Sequence, residues 1–315
     1  MPVRFASPSL GGHQAGLLLE KGHWEVSADY RRLTADKWYI GTKLREDASP
    51  FGKQLFLNIM SVNLTATYGV SNRLSASLTA PFAYATQSRF HSDLQRHVVK
   101  GRGLGDMSLL ANYWLRNPSA AASGNLMLTL GLKASTGNNK IKDTFYSPSG
   151  PAPGYVDQSV QQGDGGWGIV VGGFAHRRVA ERLDAYAGGT YMLSTKTKSD
   201  VPFNQNALLS VPDVYAWRAG LAYSPWPTRG LSVSLGVRAD GIPVRDIIGG
   251  ADNGFRRPGV SVFVDPGLYW NRGPHTLSFS FPVRAYFNFK NDPSGQLNGG
   301  DLADYLIFAG YKHHW

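Results

Sequence analysis

The chain has 315 residues, no cysteine, a formal net charge of +10 and a mean hydropathy of -0.24. The lack of cysteine excludes a disulfide framework and Cys-based zinc sites, and no apolar run reaches the eighteen or so residues of a membrane helix. A membrane β-barrel stays open, because only alternate residues face lipid and a polar lumen face dilutes the mean; the 37 glycines, 15 tyrosines, 15 phenylalanines and 8 tryptophans suit one, since aromatics gather at both of its interfaces.

Residues 1–21 show no alternation, and Met1-Pro2-Val3-Arg4-Phe5 leads into a Ser/Gly-rich stretch rather than the apolar core of an export signal. The expectation is a processed chain whose leader has been removed, with 1–21 as a periplasmic extension or partial plug and 22–315 as the barrel. Strands are predicted near 22–31, 55–68, 73–86, 103–116, 124–136, 165–176, 182–194, 213–224, 230–241, 259–271, 275–288 and 303–315. Period two carries these assignments. Leu74, Ala76, Leu78, Ala80 and Phe82 alternate with Arg73, Ser75, Ser77 and Thr79. Leu126 to Leu132 and Leu231 to Val237 repeat the pattern at even spacing, with Thr129, Gly131, Ser232, Ser234 and Gly236 between them. From Leu277 it runs Leu277, Phe279, Phe281, Val283, Ala285, Phe287, Phe289 against Ser278, Ser280, Pro282, Arg284, Tyr286, Asn288. That is longer than a soluble strand needs.

The predicted connectors alternate in length. Those at 32–54, 87–102, 137–164, 195–212, 242–258 and 289–302 are long, and those at 69–72, 117–123, 177–181, 225–229 and 272–274 are short. An even number of strands with long outer loops and short periplasmic turns is the arrangement of an outer-membrane barrel. The fold expectation is therefore all-β: a transmembrane antiparallel up-and-down barrel of about twelve strands. The last residue, Trp315, follows Tyr311 at even spacing, as in a C-terminal address read by the barrel assembly machinery.

Continuing the alternation places Glu25, Asp29, Asp106, Trp114, Lys133, Asp184, Tyr186, Arg218, Arg238, Asp240, Asp265, Tyr269, Arg284 and Tyr286 towards the lumen. They could pair into a wall-bracing network or form a charged constriction that selects solutes. Basic residues are not gathered into a tail or a helix face, so nucleic acid is not an expected partner. Outer-membrane lipid and lipopolysaccharide phosphates, or a basic lumen, suit the charge better.

Gly101-Arg102-Gly103-Leu104-Gly105-Asp106 and Gly163-Asp164-Gly165-Gly166-Trp167-Gly168 lack the Lys-Ser/Thr of a phosphate loop and precede no helical pattern. His13, His23, His313 and His314 have no carboxylate at metal spacing, so neither metal nor cofactor is expected. A hydrolase reading would rest on His91 and Ser92 in an outer loop, with no orienting third group; the chain is not expected to be an enzyme.

Several of these stretches resemble a family of outer-membrane barrels, the "MetA-pathway of phenol degradation" proteins. Gly103-Leu104-Gly105-Asp106 running into Leu109–Leu115 resembles its glycine-rich motif. Lys133-Ala134-Ser135-Thr136-Gly137 resembles a strand end where Pro-Thr-Gly is more usual, with Ser135 in place of the proline. Asp157-Gln158-Ser159-Val160-Gln161 through Gly168, Gly241–Asp246 and Gly254–Gly259 are similar to further motifs. The resemblance implies a Gram-negative transporter for aromatic or other hydrophobic compounds, with no catalytic residues. The basic charge adds an expectation of anion preference. The expected function is a porin-like channel for passive passage of small solutes, with a non-conducting structural barrel as the alternative.

Overall fold

Alternation of apolar and polar side chains, in runs rich in β-branched and aromatic residues, gives each strand one face for lipid and one for the interior. In the computed structural model, which describes residues 19–45, 55–121, 123–204, 207–248, 254–292 and 299–315, these runs form twelve antiparallel strands. They are β1 (Trp24–Ala35), β2 (Leu55–Gly69), β3 (Leu74–Phe90), β4 (Arg96–Leu104 and Ser108–Trp114), β5 (Gly124–Lys133) and β6 (Gly168–Ala180). The second half comprises β7 (Leu183–Ser194), β8 (Val214–Trp226), β9 (Leu231–Ile242), β10 (Gly259–Arg272), β11 (His275–Ser280 and Val283–Phe289) and β12 (Leu306–His314).

Neighbours in sequence are neighbours in the sheet, and β1 pairs with β12 from Glu25↔His314 to Leu33↔Leu306. Trp24 and Trp315 exchange two backbone hydrogen bonds at that seam. The sheet is thus a closed barrel without free edges. Among the described residues no helix is long and apolar enough to cross a membrane.

The outer face of the wall is apolar. Leu64, Leu78, Leu109, Leu128, Leu130, Leu221, Leu235, Leu268, Leu277 and Phe279 are all exposed. Trp24, Tyr68, Tyr113, Tyr223, Trp226, Tyr311 and Trp315 ring the end that carries the short turns. The interior is a set of small apolar clusters separated by polar and charged side chains. The segment 1–18 of the expected extension lies outside the described residues.

Three features depart from the sequence expectation. The segment expected as a loop at 87–102 is instead paired backbone: β3 and the first part of β4 run on together from Phe82↔Leu104 to Phe90↔Arg96. The segment 137–164 folds back into the barrel mouth as a hairpin, Lys142–Ser147 with Gly150–Tyr155. Val156 and Val160 of that segment are buried against Leu57, Ile59, Ala85 and Val99, apolar cover that a solvated loop would not need.

The third departure corrects one lumen assignment. The β10–β11 register slips between Val262 and Phe263, which pair with Tyr286 and Arg284 and leave Ala285 as a bulge. One extra residue inverts the parity of everything beyond it. Tyr286 therefore points outward, 49% exposed, whereas Phe289 is 3% exposed and Phe287 packs on Tyr39. The chain has no native cysteine, so the inversion is directly testable. Tyr286→Cys should react with a bilayer-dissolved maleimide while Phe287→Cys is protected; equal reaction at both would sink the assignment.

Candidate functional site in the lumen

The interior is layered from the short-turn end to the long-loop end. The first layer holds Glu25, paired with Lys312 at 3.2 Å, and Asp29, which accepts from the Ser27 hydroxyl. On the opposite wall Asp184 pairs with Arg178 at 3.1 Å. Between them Trp114, Met127, Phe174, Tyr186 and Ala222 pack into an apolar block, with the Trp114 and Phe174 rings edge to face.

Tyr186 reaches its place because β8 and β9 carry glycine beneath it. A Cβ at Gly220 or at Gly236 would stand 2.6 Å from the Tyr186 hydroxyl oxygen, so both positions must lack a side chain for the ring to lie across the wall.

The middle layer is basic. Arg218 and Arg238 are register partners across β8 and β9. Arg31 enters from β1 at 7% exposure, with its Nε buried and without a hydrogen-bond partner. Arg31 feels the charges of Arg238 and Asp240, and Arg218 those of Arg238 and Asp265. Arg238 donates from Nε to Asp240 at 3.1 Å and lies over the Phe308 ring at 4.6 Å. Its side chain therefore reaches from β9 to β12. Three guanidiniums thus face two carboxylates, Asp240 and Asp265, with the Tyr186 and Tyr269 phenols beside them. This layer is a polar, net-positive constriction in which unpaired hydrogen-bonding capacity remains on Arg31.

The last layer ties loops to wall. Lys133 is 2% exposed and donates to Asp106 at 3.1 Å and Asp164 at 2.6 Å. Arg256, fully buried, grips both oxygens of Asp246 at 2.7 Å and the Ser210 hydroxyl. Asp213 accepts from the Ser194 and Ile247 backbone N–H groups and the Tyr191 hydroxyl. Arg284 bonds Asp304 and the Tyr39 hydroxyl, and Lys37 shares Asp304. Arg257 bonds Asp157 at 3.1 Å.

Burial alone would raise the Asp157 carboxyl. The Arg257 guanidinium and the Ser159 backbone N–H and hydroxyl outweigh it and hold the group below the usual carboxylate range. A depressed carboxyl contributes stability that is complete above its unfolded value, near 3.9, and lost as pH falls through its folded value. The 137–164 segment should therefore resist protease across neutral and mildly acidic pH and open to cleavage only below about pH 4. Arg257→Gln should move that onset upward; an onset unchanged by the substitution would show that this pair does not hold the segment.

Of the fourteen residues expected at the lumen, Tyr286 alone lies outside. The remainder point inward, but they are not one site: Glu25, Asp29, Trp114, Asp184 and Tyr186 sit low, Arg218, Arg238, Asp240, Asp265 and Tyr269 in the middle, and Asp106, Lys133 and Arg284 at the loop end. Arg31 was missed although it is the last residue of the strand expected at 22–31 and shares the parity of Glu25 and Asp29. Asp164, Asp246 and Arg256 were missed because they lie between strands, where alternation is silent, and Asp213 opens the strand expected at 213–224 but lies just before β8. Tyr311 and Trp315 stand on the outside of the wall, 40% and 56% exposed.

His91 is packed into the hairpin contacts above the wall. Its Nδ1 accepts from the Tyr146 backbone N–H. Its ring is stacked on Phe145 with centroids 5.1 Å apart, and burial lowers its affinity for a proton. Among the described residues no group of three or more His, Cys, Asp or Glu is arranged to hold a metal.

No family model matches the chain, and no curated protein matches it by sequence. By structure it is similar to an outer membrane channel from Pseudomonas putida F1, at TM-score 0.65 and 15% identity over 99% of this chain and 100% of that one. It is also similar to the translocator domain of the autotransporter NalP from Neisseria meningitidis, at TM-score 0.49 and 13% identity, over 93% of this chain and 88% of that one. The CymD monoaromatic hydrocarbon channel follows at TM-score 0.44 and 10% identity, over 94% of this chain and 89% of that one. At 15% identity the likeness to the Pseudomonas putida channel shows the fold, a β-barrel of the outer-membrane kind.

Proposed function

We propose that this barrel sits in a bacterial outer membrane with its long loops outside and its termini in the periplasm, and passes small solutes passively, with a preference for anions that carry an aromatic or other apolar body. The observation that carries this reading is the middle layer. Arg31, Arg218 and Arg238 converge on the lumen with a surplus over Asp240 and Asp265, and the rings of Phe308, Tyr186 and Tyr269 stand beside them. A carboxylate can bridge guanidiniums while an attached ring lies against the Tyr186 and Tyr269 phenols. The fold it shares with the Pseudomonas putida channel supports passage, and the resemblance to barrels named for phenol degradation supports an aromatic cargo. Tyr311 and Trp315, exposed at the seam with β1, supply the address for the assembly machinery in this reading.

The test is single-channel recording of the refolded protein in a planar bilayer, with the reversal potential measured under a salt gradient. Discrete steps with anion preference support the proposal, and cation preference overturns it. A second reading, a barrel closed to solutes, is favoured by one observation. The Trp114–Phe174–Tyr186 block below and the Val156–Val160 segment above both fill interior space. A folded protein that gives no conductance and no swelling of liposomes in small solutes would establish that reading instead.

A further inference from the structure

The outward side of β1 to β4 changes character sharply along its length. From the short-turn end, the rows of register partners read Trp24–Tyr68–Ala76–Ala111, then Val26–Ala66–Leu78–Leu109, then Ala28–Leu64–Ala80, then Tyr30–Val62–Phe82–Leu104. All are apolar or aromatic. The next row is Arg32–Met60–Tyr84–Arg102, and the one above it is Thr34–Asn58–Thr86–Lys100. Arg96 stands two rows higher, its guanidinium 4.9 Å from the Phe56 ring centroid and 4.3 Å from that of Phe90.

Arg32, Lys100 and Arg102 are exposed. None of their side chains makes an ion pair among the described residues. Asp143, half-buried on the hairpin beside this wall, accepts from the Lys100 backbone N–H, and Asp36 follows two residues after Thr34.

Eight residues separate Trp24 from Arg32. That is about 26 Å along a strand, or about 20 Å along the barrel axis at a tilt near 40°. A barrel's apolar band is about 25 Å tall. The cations therefore start where the hydrocarbon ends on the long-loop side, and the polar Thr34–Asn58–Thr86 row lies among them. A cation at that height meets neither lumen nor bulk water first, but the headgroups of the outer leaflet. We infer that Arg32, Lys100, Arg102 and Arg96 form a binding site for the phosphate-bearing headgroup of an outer-leaflet glycolipid. In it the acyl chains lie on Leu78, Phe82 and Leu64, and the phosphates are held by the cationic rows. Phe56 and Phe90 hold the Arg96 guanidinium, and Tyr84, in the same row as Arg32 and Arg102, offers a face to the sugar ring.

This rests on the long loops facing outward in an outer membrane, and on nothing in the lumen. The test uses the full chain folded in detergent, titrated with bis-phosphorylated lipid A and followed by native mass spectrometry. Phosphate-free lipid A and inorganic phosphate are run in parallel. Wild type should retain the phosphorylated lipid in preference to both. Lys100→Gln with Arg102→Gln should weaken retention about thirtyfold, at about fivefold per charge, and added salt should weaken it in wild type.

Equal retention of phosphorylated and phosphate-free lipid would overturn the inference, as would retention unchanged in the double variant. Shift of the band on heating in a gel certifies each folded barrel. Were the double variant not to fold, the salt dependence and the phosphate-free lipid decide alone. A wild-type protein recovered from cells without detergent would remove the membrane reading itself, a failure distinct from a membrane barrel that ignores phosphate.

Discussion

Lys133→Met should cost this barrel about 3–5 kcal/mol of stability, the range for removing one partner of a buried charge pair. Lys133 is an ammonium held between two buried carboxylates, Asp106 at 3.1 Å and Asp164 at 2.6 Å, with side-chain exposures of 3% and 8%. The Gly137 N–H and the Asp164 N–H donate to Asp106, and the Gly166 N–H to Asp164. Those bonds offset part of the desolvation of the carboxylates but cannot cancel their mutual repulsion. Methionine keeps the volume and removes the charge, leaving two anions facing each other in a dry interior.

The consequence reaches beyond one contact, because the triad joins the break in β4, the end of β5 and the segment entering β6. The measurement is urea unfolding in detergent, followed by gel mobility and tryptophan fluorescence. The triple variant with Asp106→Asn and Asp164→Asn should regain much of the loss, since neither anion then needs a counter-charge. A loss under about 1 kcal/mol for Lys133→Met would show the triad to be solvated rather than buried.

The sequence reading succeeded where one physical rule governs every residue. In a membrane barrel a strand that broke period two would put a charge into lipid or leave a greasy lumen, so alternation in Leu126–Leu132 or Leu231–Val237 leaves little freedom. It failed at three kinds of place. At Ala285 a single bulged residue inverted the parity, and neither Phe287 nor Tyr286 carries a local sign of that, because both faces there are aromatic. At 87–102 the residues are polar because the hairpin rises above the apolar band, not because it stops being a hairpin. Between strands the rule does not apply at all. Asp164, Asp213, Asp246 and Arg256 are buried groups whose partners, Lys133 for Asp164 and Asp246 for Arg256, are set by three-dimensional approach. The nearest hint was their position in motifs that resemble a family of barrels. Arg31 is the instructive miss, since it lies inside the strand expected at 22–31 and its parity with Glu25 and Asp29 already marked it.

The lumen arginines make the second large prediction, in which selectivity and stability move in opposite directions. Arg238 is paired with Asp240 at 3.1 Å and covers Phe308, so Arg238→Gln strips a partner from a carboxylate and a lid from a ring. Arg31 has a buried Nε with no hydrogen-bond partner and sits in the field of a second cation, Arg238. A guanidinium held that way costs stability, and in the function proposed above an anion in the lumen offsets that cost. Arg31→Gln should therefore leave the unfolding midpoint unchanged or raise it, whereas Arg238→Gln lowers it.

Both substitutions should reduce the anion-to-cation permeability ratio. One charge about 7 Å from a passing ion in water-like surroundings is worth about 0.6 kcal/mol, roughly threefold in partition, and more where the wall lowers the dielectric. Arg31→Glu doubles that step, to about ninefold, and should carry the reversal potential towards or past zero. Benzoate added at millimolar concentration should block wild-type conductance more than acetate does, because only benzoate has a ring to lay beside the Tyr186 and Tyr269 phenols, and Arg31→Gln should abolish the difference. Should Arg31→Gln destabilise the barrel and leave selectivity intact, the arginine is a strut whose partner forms only in the membrane, and the selectivity must then be sought among Arg218, Arg238 and the loop cations.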